Sequence, residues 1–493
     1  MSEFDQLSTK NRIFKTILNW RTNWLTEEEF DRGIPDLFAT GTGFKAPKHP
    51  HQTFPSVPSY VAAHLPLLLL DIFHSLRQEQ SGSKDVLNGE MAECLLSDLD
   101  FQLARPTSKA NKRKAKDCDG LFTVCELNSS IRKPSPEEER DICCLLSKAL
   151  LRLDIKSGPK GRQLSSLLGI VHSGPVLKPQ ENQPKGQPKR VSLSMLLLLG
   201  LSTPAGALPA ADGIPRSARI KVMGNMTSYS RIATGLDLLP SSPLHSVLLD
   251  PKPHLRRFLL QRSISSLGEE FNASQSEAIG AISEGVLSQE VSVSLVHGPP
   301  GTGKSRTAIG LLNLLHPRLR KGKVILITAP SNGAVDEMVR KFLRSPLHDE
   351  YNPQLIRVGR AECISPDLIH LHPGWERSND LKKLLGKVER SKRRCLETQL
   401  EFNNALVNAK YPGGKSAAWA GLLSQVRFVA VTLNSSGHWC LESLRQRVAA
   451  VIVDESCQAT ELETLIPLQF QAPALILVGD PLQLPPTIIS HAL

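Results

Sequence analysis

VSVSLVHGPPGTGKSRTAIGLLNLL, residues 291–315, holds an apolar β-branched run, a glycine-rich turn and an apolar helical pattern in direct succession. The turn, Gly298–Ser305, fits G-x-x-x-x-G-K-[ST] in full. A triphosphate chain carries several negative charges and must be gripped without bulky side chains. Gly298, Gly301 and Gly303 let the backbone curl so that its N–H groups point inward. The following helix, carrying Ile309, Leu311, Leu312 and Leu315, adds the partial positive charge of its N-terminus. Lys304 is placed to reach the β- and γ-phosphates, and the Ser305 hydroxyl to ligate Mg²⁺. Strand before and helix after are the context that marks a true phosphate loop. The expected ligand is therefore ATP with Mg²⁺, held by Gly298, Pro299, Pro300, Gly301, Thr302, Gly303, Lys304 and Ser305.

Outward from this loop, short apolar runs alternate with helical patterns. Val291–Val296, Val324–Ile327, Val426–Val431, Val448–Val453 and Leu475–Val478 read as buried strands. Such near-continuous runs between helices predict a parallel sheet covered on both faces. Functional loops are then expected at the strands' carboxyl ends. VIVDE, Val451–Glu455, delivers two carboxylates at one such end. Asp454 is the expected Mg²⁺ partner, through water. Glu455 is the expected general base for the attacking water. LILVGDPLQLPPT, Leu475–Thr487, places Asp480 and Gln483 at another, with Gln483 suited to the γ-phosphate or the lytic water. Gly414-Lys415-Ser416 imitates the end of a phosphate loop. Ala409 stands where the first glycine is required, so the segment reads as a loop.

The chain has 493 residues, enough for several domains, and Lys+Arg exceed Asp+Glu by 59 to 48. That excess favours a polyanionic partner. The richest apolar runs, Leu65–Phe73 and Met195–Leu201, fall short of the ~20 residues of a membrane helix, so no membrane association is expected. The start has no apolar signal region, and the nine cysteines show no CxxC spacing. Reduced thiols in the nucleus or cytoplasm follow. Ile13, Phe14, Ile17, Leu18, Trp24 and Leu25 predict one helical face. Tyr60–Leu76 predicts a buried helix with Pro66 early in it. Lys109–Lys116 (KANKRKAK) is a basic cluster that reads either as a solvated loop or as a functional segment, an import signal or a nucleic-acid contact. Leu177–Arg190 reads as a flexible linker.

Several ordered blocks resemble the superfamily 1B helicases, specifically the senataxin type within the group that includes the nonsense-decay helicase. FNASQSEAI, Phe271–Ile279, resembles the Q motif and implies Gln275 on the adenine edge. TAPSNGAVDEM, Thr328–Met338, resembles motif Ia, and LIRVGR, Leu355–Arg360, motif Ib. VAVTLNSSG, Val429–Gly437, resembles motif Ic. Asp454–Leu468 and Val478–Ser490 are similar to motifs II and III. The resemblance implies a RecA-like α/β motor over residues 263–493, with a short helical prong at 375–423. It further implies a helical stalk over 1–84 and a β-barrel-like accessory subdomain over 85–262. Pro330, Ser331, Asn332, Thr432 and Ser435 would lie on a nucleic-acid backbone. The implied activity is ATP hydrolysis coupled to single-stranded RNA or DNA, on RNA or RNA–DNA hybrids. Nuclear placement follows from the family and Lys112–Lys116, with cytoplasm as the other location.

The sequence stops at Leu493, just past the motif III block, where the family's second RecA-like domain would follow. The expectation for this chain alone is nucleotide binding and at most slow hydrolysis, without unwinding, because arginine fingers from that domain are worth roughly 10³–10⁵ in turnover. Two other readings stay open: a truncated nucleotide- and nucleic-acid-binding regulatory module, and an ATPase that remodels protein–nucleic-acid complexes.

Overall fold

In Ala149–Lys156, Leu151, Leu153 and Ile155 alternate with Arg152, Asp154 and Lys156, so one face is wholly apolar. Five more strands share that interior. The computed structural model describes residues 8–25, 53–80, 96, 99–118, 120–156, 163–180, 189–201, 216–254, 271–345, 355–373 and 414–489. Within the first compact unit, built around Val61–Ala233, the strands are Phe101–Ala104 (β1), Thr123–Arg132 (β2), Ala149–Lys156 (β3), Gln163–Pro179 (β4), Arg190–Leu199 (β5) and Arg216–Asn225 (β6). They close an antiparallel barrel in the order β1-β2-β5-β4-β3-β6. Phe101, Leu127, Leu153, Leu193 and Leu197 fill it. Closure leaves no unpaired strand edge. Gly169 lets β4 pass close to its neighbours, since a Cβ there would lie 2.8 Å from a Leu153 methyl carbon.

Helices flank this barrel. Thr9–Leu18 is a helix capped by Ser8. It ends before Trp24 and Leu25, which stand on a separate 3₁₀ turn, Thr22–Leu25, rather than on the same face. Val57–Gln80 is one helix of 24 residues, longer than the Tyr60–Leu76 expected, so Pro66 sits in its interior and not near its start. By length and composition it is apolar enough to cross a bilayer, with a mean hydropathy of 1.3, which the shorter Leu65–Phe73 run did not suggest. Half of that apolar window is buried within the protein, however. Phe73, 1% exposed, meets Trp20 edge-on at 5.6 Å. Lys109–Lys116 is a helix rather than a loop, capped by the Ser108 side chain. Leu177–Pro179 ends β4 and Arg190 begins β5, so the ends of the expected linker are strands. Its middle, 181–188, lies outside the described residues.

The second unit, Thr234–Thr487 with the segment ending at Tyr60, is the parallel sheet. Its strands are Ser292–His297 (β7), Val324–Ala329 (β8), Leu355–Val358 (β9), Phe428–Thr432 (β10), Val448–Val453 (β11) and Ala474–Gly479 (β12). All five pairings are parallel, in the order β7-β12-β11-β8-β10-β9. Every side chain of β8, β10 and β11 is buried, as strands covered on both faces require. Helices Ala273–Ser288, Lys304–Leu315 and Asn332–Leu343 pack their apolar residues onto this core. Gly414–Gln425 is a helix, so the phosphate-loop imitation at Gly414-Lys415-Ser416 opens a helix and is not the loop expected. The rest of the expected prong, including the basic run Lys382–Arg394, lies outside the described residues.

Candidate nucleotide site and nucleic-acid face

The chain leaves β7 at His297 and turns through Gly298–Gly303 before the Lys304–Leu315 helix begins. Gly301 and Gly303 hold φ of 78° and 84°, the left-handed region that glycine adopts without penalty. Gly303 has a second reason to be glycine: a Cβ there would lie 2.6 Å from Nε2 of Gln275. A Cβ on Gly298 would lie 2.6 Å from Oγ1 of Thr302. No side chain caps the helix at Gly303, so its first N–H groups face the loop, as anion binding requires. Nζ of Lys304 arches back over the loop and donates to the carbonyls of Gly298 at 2.6 Å and Pro299 at 3.1 Å. A bound phosphate would compete with those carbonyls for the ammonium.

Gln275 ties this loop to the preceding helix. Its Oε1 accepts from the Asn272 N–H at 3.1 Å, completing a capping box. Its Nε2 donates to the Thr302 carbonyl at 2.9 Å. The sequence reading put Gln275 on the adenine edge; here its amide braces the phosphate loop. Phe271 bears on the Lys304–Leu315 helix, with Arg306 over its ring at 5.6 Å.

Asp454 and Glu455 follow β11, next to the loop strand's neighbour β12. Asp454 is 6% exposed. Burial, and then the adjacent Glu455 charge, push its carboxyl up to about 6, while Lys341 and Lys304 pull the other way. Such a carboxylate gains from a nearby cation. Glu455 stands at φ 50°, turning its side chain out of the strand direction, and accepts from Nε2 of Gln458 at 3.2 Å. Among the described residues no group of three or more His, Cys, Asp or Glu side chains is positioned to hold a metal. The buried Asp454 carboxylate and the Ser305 hydroxyl are oxygen donors of the kind that Mg²⁺ takes alongside waters and phosphate oxygens.

Asp480, 3% exposed, follows β12. Its Oδ2 accepts from Nε2 of Gln483 at 3.0 Å and its Oδ1 from the Leu482 N–H at 3.0 Å. These donors hold its carboxyl below the usual range, Gln483 first. His297, at the exit of β7, lies 3.5 Å from Oδ1 through Nε2. The sequence reading stopped at Gly298 and missed His297, whose only signal is its place between an apolar strand and the glycine turn. Gln483, expected at the γ-phosphate, is held on Asp480, so contact with a nucleotide requires it to exchange that partner.

Ser331 and Thr432 are both N-caps. Ser331 accepts from the Ala334 N–H at 3.1 Å, and Thr432 from the Ser435 N–H at 3.2 Å. Parallel pairing of β8 and β10 sets Thr432 opposite Ala329, so the loops carrying Pro330, Ser331 and Asn332 and those carrying Ser435 leave the sheet side by side. Oδ1 of Asn332 accepts from Nη2 of Arg357 at 2.9 Å, which leaves its amide N–H₂ to donate. Arg357 is wholly buried; its Nε donates to Oδ1 of Asp336 at 2.8 Å and its Nη1 to the Val358 carbonyl at 2.7 Å. Oδ2 of Asp336 takes the Ser365 N–H at 2.9 Å. Sequence reasoning missed this pair. An arginine flanked by Leu355, Ile356 and Val358 in a strand was the available signal, since a buried guanidinium requires an acid.

The AAA domain family model matches residues 270–394 and, overlapping, 374–491. Residues 270–491, somewhat under half of the chain, are thus similar to that family. The chain is 29% identical over 355 residues to the mouse protein named "Probable helicase senataxin", covering 57% of this chain and 13% of that protein. "Helicase SEN1" of Saccharomyces cerevisiae is 28% identical over 357 residues, covering 55% of this chain and 16% of that one. "ATP-dependent helicase upf1" of Schizosaccharomyces pombe is 33% identical over 284 residues, covering 54% and 28% respectively. The AAA domain is thus a superfamily-1, helicase-like ATPase domain with distant senataxin, SEN1 and Upf1 relatives over about half the chain. The match spans less than a third of each of these relatives.

Proposed function

We propose that this chain binds ATP with Mg²⁺ and hydrolyses it in response to single-stranded nucleic acid, with RNA or RNA–DNA hybrids as the substrate class. One observation carries the reading: the phosphate loop after β7, the carboxylates after β11 and the Asp480 turn after β12 lie at the same end of adjacent strands. The backbone N–H groups of Gly298–Ser305 and Lys304 hold the triphosphate. Ser305 and Asp454 would hold Mg²⁺, which would supply neutralisation of phosphate charge. Glu455 orients the attacking water and accepts its proton. Lys304 stabilises the charge that develops on the transferred phosphate.

Coupling runs through β8. Its Thr328 carbonyl accepts from the Asp454 N–H at 2.9 Å, and its hydroxyl donates to the Ile452 carbonyl at 3.1 Å. The same strand ends two residues before Ser331. A shift at Asp454 is therefore transmitted to the loop proposed to hold the nucleic-acid backbone. The hydroxyls of Ser331, Thr432 and Ser435 and the amide of Asn332 would contact phosphates and sugars without reading sequence.

The test is ATP turnover of the full chain with and without single-stranded RNA, single-stranded DNA or a hybrid, for wild type and Glu455→Gln. The reading expects stimulation by nucleic acid and a fall of about 10²–10⁴ in Glu455→Gln, the worth of a positioned general base. Turnover indifferent to nucleic acid, or retained by Glu455→Gln, would defeat it.

A further inference from the structure

The barrel unit carries a cluster of cations that the nucleotide site does not use. The Lys109–Lys116 helix bears Lys109, Lys112, Arg113, Lys114 and Lys116, has no buried residue and has no acid in its first turn. Its like charges at Lys109 and Arg113, and at Lys112 and Lys116, oppose the helix by a few tenths of a kcal/mol each. Nζ of Lys114 donates to Oγ of Ser173 at 2.7 Å. Nζ of Lys148 donates to the carbonyl of the preceding residue, His172, at 2.8 Å. Two ammonium groups thus converge on adjacent residues of β4, where its pairing with β5 is interrupted between Val171 and Val176. Such irregularities re-aim side chains. Lys10, on the Thr9–Leu18 helix, acts on the Lys148 charge and lies over the Phe14 ring at 5.7 Å.

Each ammonium has three donors. In the described residues none of the three lysines has a carboxylate within ion-pair distance; Lys114 and Lys148 each meet a neutral oxygen. Asp117, beyond Lys116, is an acid that acts on the neighbouring His172 and Cys118. Burial first, then Lys10 and Lys114, push Lys148 down to about 8. Burial first, then Lys148, Lys10 and Lys114, push His172 down to about 4. The cluster is therefore electrostatically frustrated as it stands, and an anion relieves it.

We propose that Lys10, Lys114 and Lys148, flanked by Lys112 and Lys116, form a site on the barrel unit for the phosphodiester backbone of single-stranded nucleic acid. A single small anion would meet the half-buried Lys148 and leave the exposed helix unexplained. A polyanion meets both. In taking the anion as nucleic acid, this inference rests on the function proposed above.

The experiment measures binding of a fluorescein-labelled oligouridylate to the full chain by anisotropy across salt concentration. It compares wild type with Lys10→Gln/Lys114→Gln/Lys148→Met and with the exposed-helix variant Lys112→Gln/Lys114→Gln. Each phosphate contact to a single strand contributes about 0.7 to the slope of log K against log salt. The triple variant should lose about two from that slope. Between about 50 and 200 mM salt the wild type should then lose roughly 16-fold more affinity than the triple variant does. The double variant, whose residues are all exposed, should lose about 1.4. Circular dichroism reads whether each variant keeps the wild-type fold. Equal slopes in all three proteins overturn the proposal, even if Asn332→Ala/Thr432→Ala abolishes binding; that pattern spares the proposed function. Wild type that binds no oligouridylate at low salt sinks both. Binding to phosphatidylserine vesicles that is lost in the variants while RNA binding persists would assign the patch to a membrane and overturn it too.

Discussion

Replacing Arg357 with Met should be among the most damaging single changes in the parallel-sheet unit, and the structure says why. The guanidinium is wholly buried and supplies hydrogen bonds to Asp336, Asn332 and the Val358 carbonyl. Asp336, 1% exposed, would keep only the Ser365 N–H. Removing one partner of such a pair strands a buried charge, at about 3–5 kcal/mol. For a domain of this size that lowers the melting temperature by roughly 6–20 °C. The double change Arg357→Met/Asp336→Leu removes both charges and should recover most of the loss, since apolar replacement of buried pairs is often neutral. It should not restore single-strand binding, because the Asn332 amide has lost the donor that orients it. Thermal denaturation followed by circular dichroism, with oligonucleotide anisotropy on the same proteins, separates the two effects. A loss under about 1 kcal/mol in the single variant, or a double variant as unstable as the single, would refute the reasoning.

Asp454→Asn should stabilise the nucleotide-free chain at high pH. The folded state keeps the Asp454 proton up to about 6, whereas an unfolded carboxyl releases it near 4. Stability from that proton is therefore complete below about pH 4 and is lost as pH rises toward 6, by about 3 kcal/mol at most. The variant should melt higher than wild type at pH 8 and alike at pH 4, yet gain less from Mg-nucleotide; melting curves across pH check this. Gly303→Ala should weaken nucleotide binding strongly, because φ of 84° is strained for alanine and its Cβ would strike Gln275. Gln275→Ala in the same chain should relieve only the clash, which nucleotide titration reads. Asn332→Ala/Thr432→Ala should weaken single-strand affinity about equally across sequences, and a change confined to one sequence would speak against backbone contacts.

The parallel sheet was legible because its strands are solidly apolar. Val448–Val453 and Val324–Ala329 are buried along their whole length, so a run of Val, Ile and Ala identifies them without knowing their partners. The phosphate loop and the carboxylates after β11 were legible because their chemistry depends on local spacing. The barrel was harder: its strands are half-buried, and the resemblance alone suggested it. Gln275 on Thr302, His297 on Asp480 and Arg357 on Asp336 escaped for another reason. Each joins residues far apart in sequence, and a polar side chain does not announce which distant group it will meet. KANKRKAK was ambiguous because helix propensity in a charge-repelling stretch is settled by its cap, Ser108, and by Lys114 reaching Ser173.

The measurement closest to the centre of this account is equilibrium binding of ATP to the full chain, with and without Mg²⁺, for wild type and Lys304→Ala. The arrangement of Gly298–Ser305 with Asp454 predicts Mg²⁺-strengthened binding in wild type and its loss in Lys304→Ala with an unchanged fold. Wild type that binds no ATP, or Lys304→Ala that binds as tightly as wild type, would contradict it.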